Sequence, residues 1–324
     1  MRILSGIQPT GSIHIGAYIG AISQWRELQK AGECIFFIAD LHALTIPQEA
    51  KDFPKQTLDT AIELLAAGLD PEKCVIFIQS QIKEHAELCW LLNTITPIAE
   101  LERMTQYKDK SKQFRKNINA GLLNYPVLQA ADILLYQTES VPVGKDQQQH
   151  LELTKTIARK FNQRYGETFK VPEALILQEG AKIMALSNPK KKMSKSDPQS
   201  CLYIFDEPDA IKKKIMSAVT DTGKTVKYDP VKKPGIANLL VIYSSFSGRP
   251  IKEIEKQFGG KGYADLKKQL AELLVIQLEP FRRKKKELLA REIYVKEILE
   301  RGRKRAETIA QTTMEEVRKK MGLF

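Results

Sequence analysis

GIQPTGSIHIGAYIG, residues Gly6 to Gly20, follows the short apolar run Arg2 to Leu4 and decides the fold class. The pattern predicts a strand that turns through Gly6, Pro9 and Gly11 into an amphipathic helix, with Ile15, Ile19, Ile22 and Trp25 as its core stripe. A strand, a glycine turn and a helix start in that order aim backbone N–H groups and the positive helix end at a phosphate. His14 and Gly16 are then the outward candidates. Gly16 lets a ribose or phosphate approach the first helical turn because no side chain blocks it. Gln8 and Thr10 offer an amide and a hydroxyl at the end of the strand.

The same alternation continues to about Glu179. Cys34 to Ala39 and Val75 to Ile78 are compact, aromatic and β-branched, as strands buried in a parallel sheet are. Between them Leu58, Ile62, Leu65 and Leu69 recur at helical spacing up to the Asp70-Pro71 break. Val141 to Gly144 is a further strand ending in a glycine turn. Gln147 to Phe161 is the helix after it, with Leu151, Thr154, Ile157 and Phe161 on one stripe. Strands alternating with helices predict an α/β fold, a doubly wound parallel (Rossmann-like) sheet with its ligand at the carboxyl ends of the strands. After Pro189 strand patterns nearly vanish. The Lys-rich amphipathic stretches Ala264 to Leu289 and Val295 to Met321 predict a C-terminal α-helical domain. The expected boundaries are 1–187 for the sheet domain, with a helical insertion at about 80–125, then 188–198 for a linking loop and 199–324 for the helices. The last helix is expected to pack back on the sheet domain.

The 324 residues, 43% apolar and 28% charged, suffice for a full core in an ordinary globular protein. No apolar run approaches the roughly 20 residues that a bilayer span needs. Met1 to Gly6 enters a strand without the pattern of a secretory leader, so a cytoplasmic location with no membrane partner is expected. Cys34, Cys74, Cys89 and Cys201 lack CxxC or Cys/His spacing and are expected as reduced core thiols, with no zinc and no other protein-held metal. The net charge of +12 is unevenly spread. Residues 1–187 hold 20 Lys/Arg against 21 Asp/Glu, residues 188–198 hold four Lys against one Asp, and residues 199–324 hold 27 Lys/Arg against 17 Asp/Glu. Such a basic half is the footprint of a phosphate-backbone partner or else a solvated, lysine-rich helical surface; charge alone leaves both open.

Lys192-Met193-Ser194-Lys195-Ser196 lies in the linking loop. Lys192 and Lys195 supply mobile positive charge and Ser194 a hydroxyl donor, so the loop can close over an anion that the glycine turn holds from the other side. Lys190 to Lys192 alone would also fit a basic surface loop or a targeting signal. Together with His14-Ile15-Gly16-Ala17, the segment resembles the paired signatures of class I aminoacyl-tRNA synthetases. YPVLQAADILLY (Tyr125 to Tyr136), VPVGKDQ (Val141 to Gln147), FIADLHAL (Phe37 to Leu44) and ELERMTQ (Glu100 to Gln106) narrow that resemblance to the bacterial-type tryptophanyl-tRNA synthetases. It runs from residue 2 to Leu323.

The resemblance implies that ATP activates L-tryptophan to tryptophanyl-adenylate with release of pyrophosphate, and that tryptophan then passes to the 3′ end of tRNA(Trp). It also implies a homodimer, Mg²⁺ arriving with ATP, and tRNA anticodon binding by the basic helical half. Adenylate formation needs no general base, because the amino-acid carboxylate is already a nucleophile; positioning and neutralisation of the departing pyrophosphate do most of the work. The resemblance gives that work to Lys192, Ser194, Lys195 and Lys110. Around them it puts ATP at Gln8, Pro9, Thr10, His14, Gly16, Ala17, Gly144, Lys145, Asp146, Ile183, Met193 and Ser196.

Asp132 sits on an otherwise apolar helix, and a carboxylate there must find a donor. An internal salt bridge or a cap would serve; the resemblance makes the donor the indole N–H. It sets Leu4, Gly6, Gln129, Val141 and Val143 around the ring, and His42, Gln106, Tyr125 and Gln147 toward the α-amino end. His42 taken alone reads as a core histidine bonded to backbone. The chain departs from the family at Ala17 (commonly His or Asn), at Leu4 and Gln129 (commonly Phe and Met) and at Lys145 (commonly acidic), and Gln129 makes the pocket more polar than usual. Some relatives carry an iron–sulfur cluster in the C-terminal half; no cysteine follows Cys201, so none is expected. The alternatives are a tyrosyl-tRNA synthetase of the same subclass, whose substrate hydroxyl can also donate to Asp132, a catalytically inactive RNA-binding paralogue, and a nucleotidyltransferase built on the N-terminal motif. The last leaves the basic half unexplained.

Overall fold

The computed structural model describes residues 1–113, 118–144, 147–176, 182–195 and 197–323, without the side chains at 110, 113 and 176. Five strands, β1 (Arg2–Ile7), β2 (Glu33–Ile38), β3 (Cys74–Ile78), β4 (Ser140–Val143) and β5 (Glu173–Ile176), form one parallel sheet in the order β3-β2-β1-β4-β5. This is the doubly wound sheet that the pattern predicts, with the switch point between β1 and β4. β5 has no counterpart in the sequence reading. It is four residues long, starts on Glu173 and lies at the sheet edge, where an apolar run is not required.

Alternation along the strands sorts the core into two layers. Cys34, Phe36 and Ile38 of β2 face a layer with Ile22, Trp25, Ile62 and Leu65. Ile35 and Phe37 face the other, with Leu88, Leu92, Val127 and Leu134. The first layer continues without a break into Leu202, Ile211, Leu240, Leu270 and Leu274. Helices Pro208–Met216, Pro234–Ser247 and Tyr263–Leu289 therefore share a core with one face of the sheet.

The helix after the glycine turn departs from the expected stripe. It runs Ile15–Ala17, passes through a π turn at Tyr18–Ile22 and resumes at Ser23–Leu28. The wider turn shifts the inward positions, so Tyr18 is buried where Ile19 was expected and Ile19 is only half-buried. Tyr18 packs on Phe281 at 5.2 Å and stacks with Phe246 at 6.1 Å, both on the C-terminal helices. Between β3 and β4, helices Glu84–Asn93, Ile98–Glu102 and Thr105–Gln113 precede helix Ala120–Leu135.

Helix Glu292–Met321 spans both layers: Val295, Ile298 and Leu299 join the first, and Ala306, Ala310, Met314 and Val317 the second. It crosses edge strand β3 at Gly302, where a Cβ would lie 1.9 Å from the Ile76 carbonyl oxygen. A bidentate ion pair from Arg318 to Glu87, at 2.6 Å for Nε, fastens its far end to helix Glu84–Asn93. On an open helix, Gly→Ala gains about 1 kcal/mol. Here Gly302→Ala is expected to reverse that sign and lower the unfolding free energy by about 1–3 kcal/mol, because the added methyl meets backbone. Denaturant titration reads this as a lower midpoint; a raised midpoint would mean that the helix stands off β3.

Candidate active site

β1 meets β4 in register at Ile3 opposite Ser140. Beyond that pair, at the carboxyl ends of the strands, lies a cavity of about 310 Å³. Every residue expected around the amino acid lines it: Leu4 and Gly6 from β1, Val141 and Val143 from β4, Tyr125, Gln129 and Asp132 from helix Ala120–Leu135, and His42, Gln106 and Gln147. Phe37 of β2 also lines it, although the sequence reading uses this residue only as strand core. A Cβ on Gly6 would stand 2.7 Å from the Phe37 ring, so glycine is what lets that aromatic wall lie against β1.

Asp132 closes one end of the cavity with 1% of its surface exposed. Its Oδ2 lies 2.7 Å from His42 Nε2; its Oδ1 accepts from Gln79 Nε2 at 2.7 Å and lies 2.6 Å from His85 Nδ1. Burial pushes the carboxyl up, but the charge and hydrogen bond of His42, then those of His85, outweigh it and hold the pKa at about 2. Asp132 is therefore an ionised acceptor. His85 Nε2 in turn lies 2.8 Å from the buried Tyr136 hydroxyl. The His42 ring meets Asp132 and not backbone. A carboxylate accepts about four hydrogen bonds, so three protein partners leave about one position for a ligand donor.

The strand exits bring these partners together. Asp40, after β2, accepts the Ser80 N–H at 2.9 Å and the Ser80 hydroxyl just after β3. That tie delivers His42 and Gln79 to the same side of the sheet. Neither Gln79 nor His85 is marked by the sequence reading. At the rim, the Tyr125 hydroxyl lies 2.8 Å from the buried His150 Nε2 and 3.3 Å from Gln106 Oε1. Gln129 donates to Gln147 Oε1 at 3.5 Å. Burial raises the Tyr125 phenol well above its ordinary range, so it stays an O–H.

The glycine turn forms the second part of the site. Gly11 has φ of +96°, which requires glycine, and Thr10 N–H donates to the Gln8 carbonyl at 2.9 Å. Pro9 is buried, Thr10 is exposed, and Gln8 also lines the cavity. His14 caps the helix: its Nδ1 accepts the Ala17 N–H at 3.2 Å. Burial, then the charges of Lys195 and Lys192, lower its pKa to about 4. A neutral ring that accepts at Nδ1 carries its proton on Nε2. A Cβ on Gly16 would lie 3.0 Å from His14 Nδ1 and 3.4 Å from the Ile183 side chain, so this glycine makes room for the cap as well as for a ligand.

Lys192 pairs with Met184 in an isolated antiparallel bridge, so the lysine segment folds back on residues 183–185 as a short hairpin. Met193 N–H donates to Ile183 at 3.0 Å and Ala185 N–H to Lys191 at 2.9 Å, with Met193 and Ile183 both buried. Asn238 clamps the Met184 backbone in both directions, at 2.8 and 2.9 Å. The backbone is held while Lys192 and Ser194 project outward and half-buried Lys195 donates to the Gly11 carbonyl at 2.6 Å. Burial lowers the Lys195 pKa. Gly144 ends β4. Lys145, Asp146 and Ser196 lie outside the described residues, as does the side chain of Lys110 on helix Thr105–Gln113.

Residues 1–279 match the family described as tRNA synthetases class I (W and Y). The chain is 49% identical over 325 residues to the tryptophan–tRNA ligase of Caldanaerobacter subterraneus subsp. tengcongensis, covering 100% of this chain and 98% of that one. Among solved structures, the tryptophanyl-tRNA synthetase of Campylobacter jejuni complexed with ADP and tryptophan has a TM-score of 0.86 at 40% identity, covering 100% of both chains. The Mycoplasma pneumoniae tryptophanyl-tRNA synthetase has a TM-score of 0.89 at 34% identity, covering 100% of this chain and 98% of that one. With the family match across most of the chain and that identity along its full length, this protein belongs to the class I tRNA synthetases of the tryptophan and tyrosine group.

Proposed function

We propose that the chain is a tryptophan–tRNA ligase: it joins tryptophan to ATP as tryptophanyl-adenylate with release of pyrophosphate, then transfers tryptophan to the 3′ end of tRNA(Trp). The observation that carries this reading is the cavity closed by ionised Asp132 next to the glycine turn capped by His14 and held by Lys195. Asp132 accepts the indole N–H, and Leu4, Phe37, Val141 and Val143 supply apolar walls for the ring. Gln106, Tyr125 and Gln147 hold the α-amino end. The tryptophan carboxylate attacks the α-phosphate directly. Lys192 and Lys195 neutralise the departing pyrophosphate, His14 Nε2–H donates to the nucleotide, and Lys110, Lys145, Asp146, Ser194 and Ser196 complete the ATP site. The tryptophan-specific names of relatives at 49% identity support tryptophan over tyrosine. The lysine hairpin bonded to the glycine turn supports a working adenylation site over an inactive RNA-binding paralogue.

Mg²⁺ comes with ATP, bridging its phosphates; among the described residues no three His, Cys, Asp or Glu side chains group as a metal site. Residues 199–324 dock tRNA near its anticodon through phosphate contacts that weaken with salt. Trp90, 69% exposed, and Ile98, 64% exposed, are apolar side chains of the kind a second subunit covers, in keeping with a homodimer. The location proposed is the cytoplasm; among the described residues no helix is long and apolar enough to cross a membrane.

Pyrophosphate exchange screened across the amino acids is expected to depend on tryptophan; dependence on tyrosine, or no dependence on any, would overturn the reading. Asp132→Asn is expected to raise KM for tryptophan by about 10²-fold, the scale of a buried charged hydrogen bond, with KM for ATP nearly unchanged. Equal loss for both substrates would remove Asp132 from the amino-acid site. Lys195→Ala is expected to lower the exchange kcat by about 10²–10³-fold while KM for tryptophan holds; a defect confined to tRNA binding would contradict its role. For His14 the sign follows from its lowered pKa. The unfolded chain takes the proton more readily, so stability is kept above about pH 6.5 and is lost as pH falls toward about 4. His14→Asn keeps a capping acceptor without a titration, and unfolding curves across that window are expected to show a shallower loss for the variant.

A further inference from the structure

Glu63 lies on helix Phe53–Ala66 with 3% of its surface exposed, and it does not line the amino-acid cavity. A carboxylate so buried is kept where donors replace its water. The Ile13 N–H donates to its Oε2 at 2.8 Å, the Ser12 hydroxyl donates to Oε1, and the Lys285 ammonium donates to Oε1 at 2.6 Å. Two of these donors belong to the turn just before His14. The third is on helix Tyr263–Leu289 of the basic half. Lys285 also lies over the Phe205 ring at 4.6 Å. Phe205 directly follows Leu202 to Ile204, which bind the same turn from another side: Ile15 N–H donates to the Leu202 carbonyl at 2.8 Å, and Ile204 N–H to the Ile13 carbonyl at 3.0 Å.

Packing alone does not account for this arrangement. Two aliphatic side chains at 63 and 285 would fill the space, but they would leave the Ile13 N–H and the Ser12 hydroxyl without the acceptor they have here. What the charged pair adds is direction. We propose that Glu63 is a positioning residue for the adenylation step: through Ser12 and Ile13 it orients the peptide that leads into His14, and through Lys285 it ties that peptide to helix Tyr263–Leu289. The turn is then gripped from opposite flanks, by Lys195 on the Gly11 carbonyl and by Glu63 on the next two residues. Displacing helix Tyr263–Leu289 displaces Lys285, and the orientation of the phosphate-facing turn follows.

The inference rests on the nucleotide role of that turn, so ATP affinity is measured by direct titration beside tryptophan-dependent exchange. Failure of wild-type exchange then counts against the proposed activity, while the titration still decides on Glu63. In the full-length protein, Glu63→Gln is expected to weaken ATP binding and raise KM for ATP about tenfold, the scale of one lost charged contact, with KM for tryptophan within about twofold. Lys285→Met, at a less buried position, is expected to shift the same constant in the same direction. The double variant should be no worse than Glu63→Gln alone. Unchanged ATP affinity in Glu63→Gln overturns the proposal. So does a loss in both substrates that tracks the fall in melting temperature, or additive effects in the double variant.

Discussion

A carboxylate with almost no exposed surface keeps its charge only if donors surround it, and Asp132 imposes that condition on four separate parts of the chain. His42 follows β2, Gln79 follows β3, His85 opens helix Glu84–Asn93, and Asp132 itself is on helix Ala120–Leu135. All three partners must arrive within 2.7 Å. The Asp40–Ser80 tie between strand exits and the Arg318–Glu87 pair on the back of helix Glu84–Asn93 hold the pieces that have to converge. In so dry a place a satisfied acceptor is strong and an unsatisfied one is costly. In the proposed role, a ligand without a donor would leave the last acceptor position of Asp132 empty, so this one hydrogen bond would select steeply.

The other end of the site uses the opposite sign. Lys192 and Lys195 flank the glycine turn where a polyphosphate is proposed to lie, and the Ile15 and Ala17 N–H groups there are taken by the Leu202 carbonyl and by His14. A cationic His14 would add repulsion there. Burial beside two lysines keeps the ring neutral, so it serves as cap acceptor through one nitrogen and as donor through the other. In the proposed function the amino-acid end presents a fixed anion to a weak N–H donor, and the nucleotide end presents cations to a strong anion. Neither end needs a titrating base. Catalysis on this scaffold is a matter of where groups are held.

Legibility in the sequence follows from how local each signal is. β1 to β4 are readable because buried parallel strands are continuous apolar runs, whereas β5, short and charged at its start, carries no such run. The glycine turn is readable because Gly11 needs a positive φ; the π turn after it breaks the 3.6-residue period, and so Tyr18 takes the place expected of Ile19. Asp132 is readable as a lone carboxylate on an apolar helix. Gln79 and His85 are not, because their partner is 53 and 47 residues away and only the sheet order brings them to it. The rest of the cavity lining is visible through family resemblance, which supplies what periodicity does not. Gly302 carries a faint local signal: with Ala306 and Ala310 it makes a small-residue stripe at helical spacing, the mark of a helix that lies close on its neighbour.

The sequence suggests a neutral half and a basic half joined by a loop, but the core layer behind β2 runs through Tyr18 into the C-terminal helices. A packed core of this kind is stiff and transmits displacement. Besides the Tyr18 packing, the basic helices and the segments before them meet the glycine turn and its flanks through other contacts of that seam, among them Leu202 to Ile204 on Ile13 to Ile15, Asn238 on Met184, and Lys285 on Glu63. The first is a backbone pairing, which any sequence that keeps the fold retains. The second and third are choices of side chains: the Asn238 amide holds one backbone segment, and the Lys285–Glu63 pair reaches the turn itself. Aliphatic residues in the seam have volume but no preferred direction, so the loss of one mainly loosens packing. The Glu63 carboxylate holds the Ile13 N–H, the Ser12 hydroxyl and Lys285 at once, so its loss misplaces the turn while the surrounding layer still holds the chain together.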